Sequence, residues 1–221
     1  MSYYYVETDG EVFLVKRKGI FTFPRSREEL PFEVKKLREI RVEDQPIYYC
    51  LPRLENHPTD WINKERIPLL DEVDKIVRKA VNFTLPRVVV EAVVRRGKGE
   101  NSEVLLVKPK RGYNRDQWTL PGGFLLYGES PEEGLAREVR EEIGCSPRSE
   151  NLLTVYSHIG AHNSYQWLIF YYSSQLEDDS SPEPNGEISE LGWFPPELVV
   201  ESLGSPLMAE GFKEILREGL L

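Results

Sequence analysis

Apolar and polar side chains alternate over the first 17 residues in the pattern that is typical of β-strands. The runs YYYVE and VFLVKRK stand on either side of Thr8-Asp9-Gly10. An Asp-Gly pair between two strand-like runs is a strong signal for a tight turn. The pattern therefore predicts a β-hairpin over residues 3 to 17.

A helical spacing replaces this alternation farther along the N-terminal part. Apolar residues recur there three and four positions apart, as on one face of an amphipathic helix. They are Ile67, Leu70, Val73, Val77 and Ala80. With Asn63 as the capping residue, we predict a helix over residues 65 to 81, and Pro86 ends the unit. Five prolines interrupt the stretch between hairpin and helix, and its pattern supports no assignment.

Strand-like and helix-like segments are interleaved from Arg87 onward. The strand-like segments are residues 87–96, 103–109, 118–126, 151–159, 165–174 and 188–194, and the helix-like segments are residues 131–143, 195–203 and 206–219. Interleaving of this kind predicts an α/β (mixed α+β) sandwich, in which helices cover a mixed sheet. We expect two domains: a small N-terminal α+β domain over residues 1–85 and the sandwich over residues 86–221.

Composition excludes several classes of protein. Of the 221 residues 40% are hydrophobic, which is enough for a globular core, and the net charge is −9. A protein that binds nucleic acid non-specifically needs a basic face, so we expect no such partner. The chain shows no signal peptide and no run of about 18 apolar residues, so we expect no membrane partner either. Because its only cysteines are Cys50 and Cys145, we expect two reduced, buried thiols and a cytoplasmic location.

The helix predicted over residues 131–143 carries a cluster of negative charges. Its start is specified by a capping box with proline, Ser130-Pro131-Glu132-Glu133, and Gly144 marks its end. Glu138, Glu141 and Glu142 lie side by side next to the apolar stripe. Like charges at this spacing repel each other, so the cluster needs an explanation.

One explanation is a solvated, charged helix face. The other is a hard divalent cation, which oxygen ligands bind and which would relieve the repulsion. The neighbouring sequence favours the cation. Gly122 and Gly123 allow backbone carbonyls to approach a ligand closely. Arg137 precedes Glu141 by four residues, where it can orient that carboxylate without occupying the cation position.

The same residues carry a resemblance to a known family. Gly123, then five residues, Glu129, then seven residues, and the run REVREEIGC from Arg137 to Cys145 resemble the signature of the Nudix hydrolases. Cys145 differs mildly, since an aliphatic residue is usual at that position. The resemblance covers roughly residues 86 to 221 and leaves the N-terminal part outside.

This resemblance implies a Nudix-type α/β/α sandwich that hydrolyses a diphosphate linkage in a small nucleotide, with Mg²⁺ or Mn²⁺. By position, the Gly123 carbonyl, Glu138, Glu141 and Glu142 would be the metal ligands, and Arg137 and Glu129 would orient them. Glu138 and Glu141 would thus carry catalysis together with Arg137. Metal ions would neutralise the diphosphate and lower the pKa of the attacking water.

The general base and the substrate contacts stay open between alternatives. The base is a signature glutamate or a later loop glutamate, for which the candidates are Glu183, Glu187 and Glu190. Of these, Glu187 is favoured. Cations that precede the glycines are candidates for phosphate contacts, with scattered surface charges as the alternative. They are Lys108, Lys110, Arg111 and Arg115, of which Arg111 and Arg115 are assigned to the substrate, as is Glu129.

Aromatic and histidine side chains offer weaker signals. Tyr165 and Trp167 could stack on a base, although strand aromatics usually pack inside, and Trp118 is expected in the core. His158 and His162 are expected to be strand-end or loop residues and not catalysts.

The substrate branch follows only from the resemblance. The segments PGGFLLYGE and EISELGWF favour ADP-ribose or a nucleotide sugar. The alternatives are the sanitation of nucleoside triphosphates and a nucleotide-sensing regulator without catalysis. The N-terminal part is a candidate homodimer interface, a cover over the substrate, or a packing module.

Overall fold

The computed structural model describes residues 2–160, 165–176 and 181–221. The chain divides into two compact units, Met1–Pro86 with Ile159–Gln166, and Arg87–His158 with Trp167–Leu221. The boundary predicted at residues 85/86 lies one residue before this division. Within the described residues, no helix is long and apolar enough to span a membrane.

A five-stranded sheet forms the first unit, with one helix packed against it. The elements are β1 (Tyr3–Thr8), β2 (Glu11–Phe13), β3 (Val15–Arg17), β4 (Ile20–Thr22), β5 (Glu33–Val42), β6 (Gln45–Arg53), β7 (Ile62–Asn63) and α1 (Lys75–Thr84). The strand order is β5-β6-β1-β2-β7, and β3 and β4 form a separate ribbon. Val77, Ala80 and Val81 of α1 are buried in the same apolar cluster as Tyr5 and Ile47 of the sheet.

The hairpin at the start of the chain is shorter than predicted. Asp9 and Gly10 have positive φ values of 46° and 77°, as a tight hairpin turn requires, and Thr8 pairs with Glu11. The pairing of β1 with β2 ends at Phe13, and β3 pairs with β4 instead. A second turn at Lys18-Gly19, where φ is also positive, diverts the chain into that ribbon.

The predicted helix over residues 65–81 is wrong in its start. Residues Ile67–Leu69 form only a 3-10 turn, Leu70 is extended, and the helix runs over Lys75–Thr84. Asp74 caps it by accepting a 3.0 Å hydrogen bond from the Ile76 nitrogen. Asn63 caps no more than a turn, since it accepts from the Glu65 nitrogen at 2.8 Å.

Two long strands, β5 and β6, lie in the proline-rich stretch for which the sequence pattern supported no assignment. Pro46 and Pro52 are part of β6, where they pair with Arg41 and Val34 of β5. β6 also pairs in parallel with β1, more than 40 residues away in sequence. Pairing between distant segments leaves little local signal, because a strand is stabilised by its neighbours in space.

A mixed sheet between helices forms the second unit, which confirms the predicted fold class. Its elements are β8 (Arg87–Arg96), β9 (Glu103–Pro109), β10 (Gly122–Phe124), α2 (Pro131–Ile143), β11 (Pro147–Ile159), β12 (Gln166–Leu176), β13 (Ile188–Phe194), α3 (Pro196–Ser202) and α4 (Pro206–Arg217). The order is β11-β12-β8-β9-β13, with β10 paired to β8. β12 runs parallel to β8, whereas β9 and β10 run antiparallel to it.

Alternation along β8 explains the two helical layers. Successive side chains of a strand point to opposite faces. Val90, Ala92 and Val94 are buried in one cluster with Leu135, Val139 and Ile143 of α2. Val89 and Val93 are buried in another, which contains Val199 of α3 and Phe212 of α4. The apolar strand RVVVEAVVRR is therefore covered on both faces, which makes the unit an α/β/α sandwich.

Candidate active site

A pocket of about 310 Å³ opens in the second unit where the glycine strand β10 meets α2. Its lining contains an acidic set and an aromatic set of residues. The acidic set is Glu91, Glu138, Glu142 and Glu187 with the adjoining Gly122 and Gly123, and the aromatic set is Tyr113, Phe124 and Trp167 together with Asn114. The glycines and the carboxylates, which lie apart in the sequence, thus line the same pocket.

Helix α2 is positioned by the caps that its sequence predicts. The Ser130 hydroxyl accepts from the Glu133 nitrogen at 3.2 Å, and the Glu133 carboxylate accepts from the Ser130 nitrogen at 2.8 Å. The helix ends at Gly144, whose φ is 71°. This reciprocal pair fixes the first turn. Its apolar stripe then sets which carboxylates face the pocket.

Arg137 is the centre of a charged network on the outer side of the pocket. It donates to both carboxylate oxygens of Glu129, at 2.7 and 3.0 Å, and to the Phe124 carbonyl at 3.0 Å. Its Nη1 also contacts Glu138 at 2.8 Å and Glu141 at 3.3 Å. Arg137, through the hydrogen bond that it donates, holds the pKa of Glu129 below its usual range. Arg137 therefore holds three of the signature carboxylates.

The side chains of Glu142 and Glu138 are largely buried. Glu142 is only 7% exposed and accepts a 3.0 Å hydrogen bond from the Gly122 nitrogen. Burial, opposed by that hydrogen bond, raises the pKa of Glu142 to about 8, and burial also raises the pKa of Glu138. A Cβ on Gly123 would lie 2.6 Å from the Glu138 carboxylate. Only glycine permits that approach.

Glu91 is a site residue that the sequence reasoning missed. It lies on β8, is 3% exposed, and its Oε2 has no hydrogen-bond partner among the described residues. Burial, and then the charges of Glu142 and Glu138, raise its pKa well above the usual range. The available signal was an acidic residue in the middle of the apolar run VVVEAVV.

The donor set fits a hard divalent cation. Carboxylate oxygens and a backbone carbonyl are the ligands that Mg²⁺ and Mn²⁺ prefer, and the Oε2 of Glu91 is a buried oxygen without a hydrogen-bond partner among the described residues. In the described ranges, no three acidic, histidine or cysteine side chains surround one point closely enough to hold an ion, and Arg137 contacts two of the predicted ligands, Glu138 and Glu141.

The remaining predicted acidic residues differ in their positions. Glu187 lines the pocket and pairs with Arg111. Glu141 is 54% exposed at its side chain and is not among the described residues that line the pocket. Glu183 is exposed, and Glu190 pairs with Lys108 at 2.7 Å. Of the three loop candidates for the base, the structure thus brings Glu187 to the pocket.

The residues predicted to contact phosphate also differ in whether they line the pocket. Arg111 lines the pocket, whereas Arg115 pairs with Asp116 at 3.1 Å and is not among the described lining residues. Lys110 donates to the Gly186 carbonyl at 3.0 Å. Lys108 lies 4.3 Å from the centre of the Trp118 ring. Glu129, assigned to the substrate, contacts Arg137 and the Leu126 nitrogen.

Three neighbouring aromatic rings form the aromatic set of the pocket lining. The Trp167 ring lies 5.7 Å from that of Phe124 and 6.2 Å from that of Tyr113. Phe124 and Tyr113 are more than half exposed. Asn114 donates to Thr119 at 3.2 Å, and its Oδ1 is buried without a partner among the described residues. The aromatic set therefore offers flat apolar surfaces and one hydrogen-bond acceptor, the Asn114 Oδ1, without a donor among the described residues.

The other aromatic and histidine candidates lie elsewhere. Tyr165 contacts Phe83 in the first unit, with ring centres 4.6 Å apart. Trp118 is half-buried against Phe194 at the edge of the apolar core. The His158 ring stacks beside Tyr156. His162 lies outside the described residues.

Comparison with known proteins agrees with this architecture. The model of the NUDIX domain matches residues 85–217, more than half of the chain. An ADP-ribose pyrophosphatase from Methanocaldococcus jannaschii is 38% identical over 72 residues, which are 33% of this chain and 40% of that protein. The 8-oxo-dGDP phosphatase NUDT18 of Homo sapiens is 32% identical over 113 residues, 50% of this chain and 32% of that protein. A crystal structure of a MutT protein from Methanosarcina mazei Go1 matches with a TM-score of 0.52 at 25% identity, over 62% of this chain and 96% of that one.

The α/β/α sandwich, with a carboxylate-bearing helix against a glycine strand, defines a Nudix-type protein. The domain match shows that this chain belongs to the Nudix family of hydrolases. The chain spans less than half of the length of the two curated relatives described above.

Proposed function

We propose that this protein hydrolyses a diphosphate linkage in a nucleoside diphosphate derivative, with Mg²⁺ or Mn²⁺ as cofactor. The observation that carries the proposal is one pocket lined both by buried carboxylates and by a group of three neighbouring aromatic rings. A diphosphate needs a cation to meet an acidic surface, and a nucleobase needs a flat apolar surface. A nucleoside diphosphate derivative combines both requirements in one molecule.

The signature residues would bind the cation. Glu138, Glu141, Glu142 and the Gly123 carbonyl would hold the metal, which would neutralise the diphosphate and acidify the attacking water. Arg137 would keep Glu138 and Glu141 oriented, since it contacts both. Such outer contacts tune the ligands they orient.

Glu187 is the favoured general base among the loop glutamates, because it lines the pocket and is half exposed. In the reaction, a water oxygen forms a bond to phosphorus while the bridging P–O bond breaks. The water proton passes to the carboxylate, and the leaving phosphate keeps the electron pair of the broken bond. Arg111, which pairs with Glu187, would contact the phosphates as that pair opens.

The aromatic set of the pocket lining would hold the nucleobase. The Trp167 and Phe124 rings lie 5.7 Å apart and are tilted by 41°, and the Tyr113 ring lies 6.2 Å from that of Trp167. The buried Oδ1 of Asn114 would accept a hydrogen bond from an N–H group of the base, because a buried acceptor without a donor is costly. ADP-ribose and nucleotide sugars are the favoured substrates, supported by the pyrophosphatase among the relatives.

Sanitation of nucleotides is the second candidate, since a relative is named an 8-oxo-dGDP phosphatase. Both candidates use the same chemistry on different leaving groups. A sensing regulator without catalysis is less favoured, because all three helix glutamates of the signature are present.

A hydrolysis screen with Mg²⁺ and Mn²⁺ tests the proposal. It includes ADP-ribose, nucleotide sugars, oxidised and normal nucleoside di- and triphosphates, NADH, coenzyme A and dinucleoside polyphosphates, with Glu142→Gln as the inactive control. We expect selective turnover of ADP-ribose or a nucleotide sugar that the variant loses. Selective turnover of the oxidised nucleotides would replace the favoured substrate, and no turnover of any compound would overturn the hydrolase proposal.

A further inference from the structure

Glu91 is a buried acidic residue to which the family signature gives no role. It shares its face of β8 with Val89 and Val93, which are buried in the apolar core. It is 3% exposed, and its Oε2 has no hydrogen-bond partner among the described residues. A buried carboxylate oxygen without a partner costs free energy. Its presence therefore points to a partner that is not part of the described chain.

The surroundings of Glu91 show what kind of partner would fit. A Cβ on Gly122 would lie 2.9 Å from Glu91 Oε2, and the Gly122 nitrogen donates to Glu142. Glu91, Glu138 and Glu142 line the same pocket. Arg111 is the one cationic side chain among the described lining residues, and it pairs with Glu187. Three carboxylates thus line one pocket, and no cationic side chain among the described lining residues pairs with Glu91.

We propose that Glu91 supplies an additional oxygen ligand to the divalent cation of this pocket, an inference that rests on the proposed function. The cation would give Oε2 the partner that it lacks. It would also offset the repulsion between Glu91 and the two helix carboxylates. Mg²⁺ and Mn²⁺ bind several oxygen ligands, so a strand carboxylate can join those of the helix.

Direct measurement of metal binding tests this role without any substrate. Mn²⁺ binding to the full chain is measured by electron paramagnetic resonance and calorimetry for the wild type, Glu91→Gln and Glu91→Asp. Glu103→Gln is the matched control, because it removes one carboxylate from the neighbouring strand β9, where Glu103 pairs with Arg96. Melting temperatures without metal are recorded for every variant.

We expect Glu91→Gln to weaken Mn²⁺ binding by about tenfold or more, the range seen when groups that support a metal site are removed. Its metal-free melting temperature should be equal to or above that of the wild type, because a buried ionisable group is replaced by one that carries no charge. Glu91→Asp should keep tighter Mn²⁺ binding than Glu91→Gln, and Glu103→Gln should bind as the wild type does. If Glu91→Gln does not fold, Glu91→Met replaces it as an apolar side chain of similar length.

The outcomes separate this inference from the proposed function. If the wild type binds Mn²⁺ and Glu91→Gln binds it equally well, the ligand role of Glu91 is overturned while the hydrolase proposal stands. A lower metal-free melting temperature with unchanged Mn²⁺ affinity would show a purely structural role. If the wild type itself binds no Mn²⁺, both proposals fail together.

Discussion

The backbone nitrogen of Gly122 donates a 3.0 Å hydrogen bond to Oε2 of Glu142, and this contact ties the last turn of α2 to the glycine strand β10. The partners lie 20 residues apart in sequence. Burial nevertheless keeps the pKa of Glu142 raised, to about 8. One amide donor therefore does not compensate for the lost solvation of this carboxylate.

Removing the charge of Glu142 should abolish activity without unfolding the protein. Glu142→Gln keeps an acceptor for the Gly122 amide, so circular dichroism should be unchanged. We expect metal-dependent hydrolysis to fall at least about 100-fold, which equals roughly 2.7 kcal/mol of transition-state stabilisation. Steady-state kinetics measure it, with the exposed Glu201→Gln as control. Wild-type rates in Glu142→Gln would contradict its role as a ligand.

Gly123 should not tolerate a side chain. The Cβ of Gly123→Ala would stand 2.6 Å from the Glu138 carboxylate and would displace it. We expect Mn²⁺ affinity, measured by calorimetry, to fall by about tenfold. Gly186→Ala is the matched control, because its Cβ would meet no atom within 4 Å. Equal Mn²⁺ affinities for the two variants would show that the close contact between Gly123 and Glu138 does not matter for metal binding.

A lysine cannot replace Arg137. One ammonium group lacks the planar fork that binds both oxygens of Glu129 and also reaches Glu138 and the Phe124 carbonyl. We expect kcat to fall about 10- to 100-fold in Arg137→Lys, since the metal ligands lose their orientation. The exposed Arg140→Lys on the same helix serves as control. An unchanged kcat would mean that the network does not orient the ligands.

Magnesium should stabilise the folded protein. A cation that binds only the native state raises the free energy of unfolding by about 2.7 kcal/mol at a concentration 100-fold above its dissociation constant. Thermal scans should show a higher melting temperature with Mg²⁺ and its reversal by a chelator. Glu138→Gln should reduce the shift. Coinciding scans at millimolar Mg²⁺, with and without the chelator, would count against a cation site.

Loss of the Trp167 ring should affect substrate binding more than chemistry. Stacking of a base on an aromatic ring contributes about 1–3 kcal/mol. We therefore expect Trp167→Ala to raise KM by about tenfold or more, with kcat within about threefold of the wild type. Trp167→Phe should retain most of the affinity because it keeps an aromatic face. A fall in kcat with unchanged KM would contradict the proposal that Trp167 stacks on the nucleobase.

Local signals predicted the elements that contain their own determinants. The capping box of Ser130 and Glu133 and the stop at Gly144 define α2 as expected. The Asp9-Gly10 turn likewise forms where the sequence predicts it. The prediction over residues 65–81 was wrong in its start because Ile67 lies in a 3-10 turn, Leu70 is extended and Val73 forms a β-bridge, and the cap of α1 is Asp74.

The sequence by itself determined the family, the helix that carries Glu138, Glu141 and Glu142, and a mixed sheet between helices, because capping, periodicity and a spaced signature are properties of neighbouring residues. Only the tertiary structure decided that β5 and β6 pair in the proline-rich stretch, that Glu187 and not Glu190 lines the pocket, and that Glu91 stands beside Glu142. These relationships join residues far apart in sequence. Their outcome depends on burial and strand pairing, which a linear pattern does not contain.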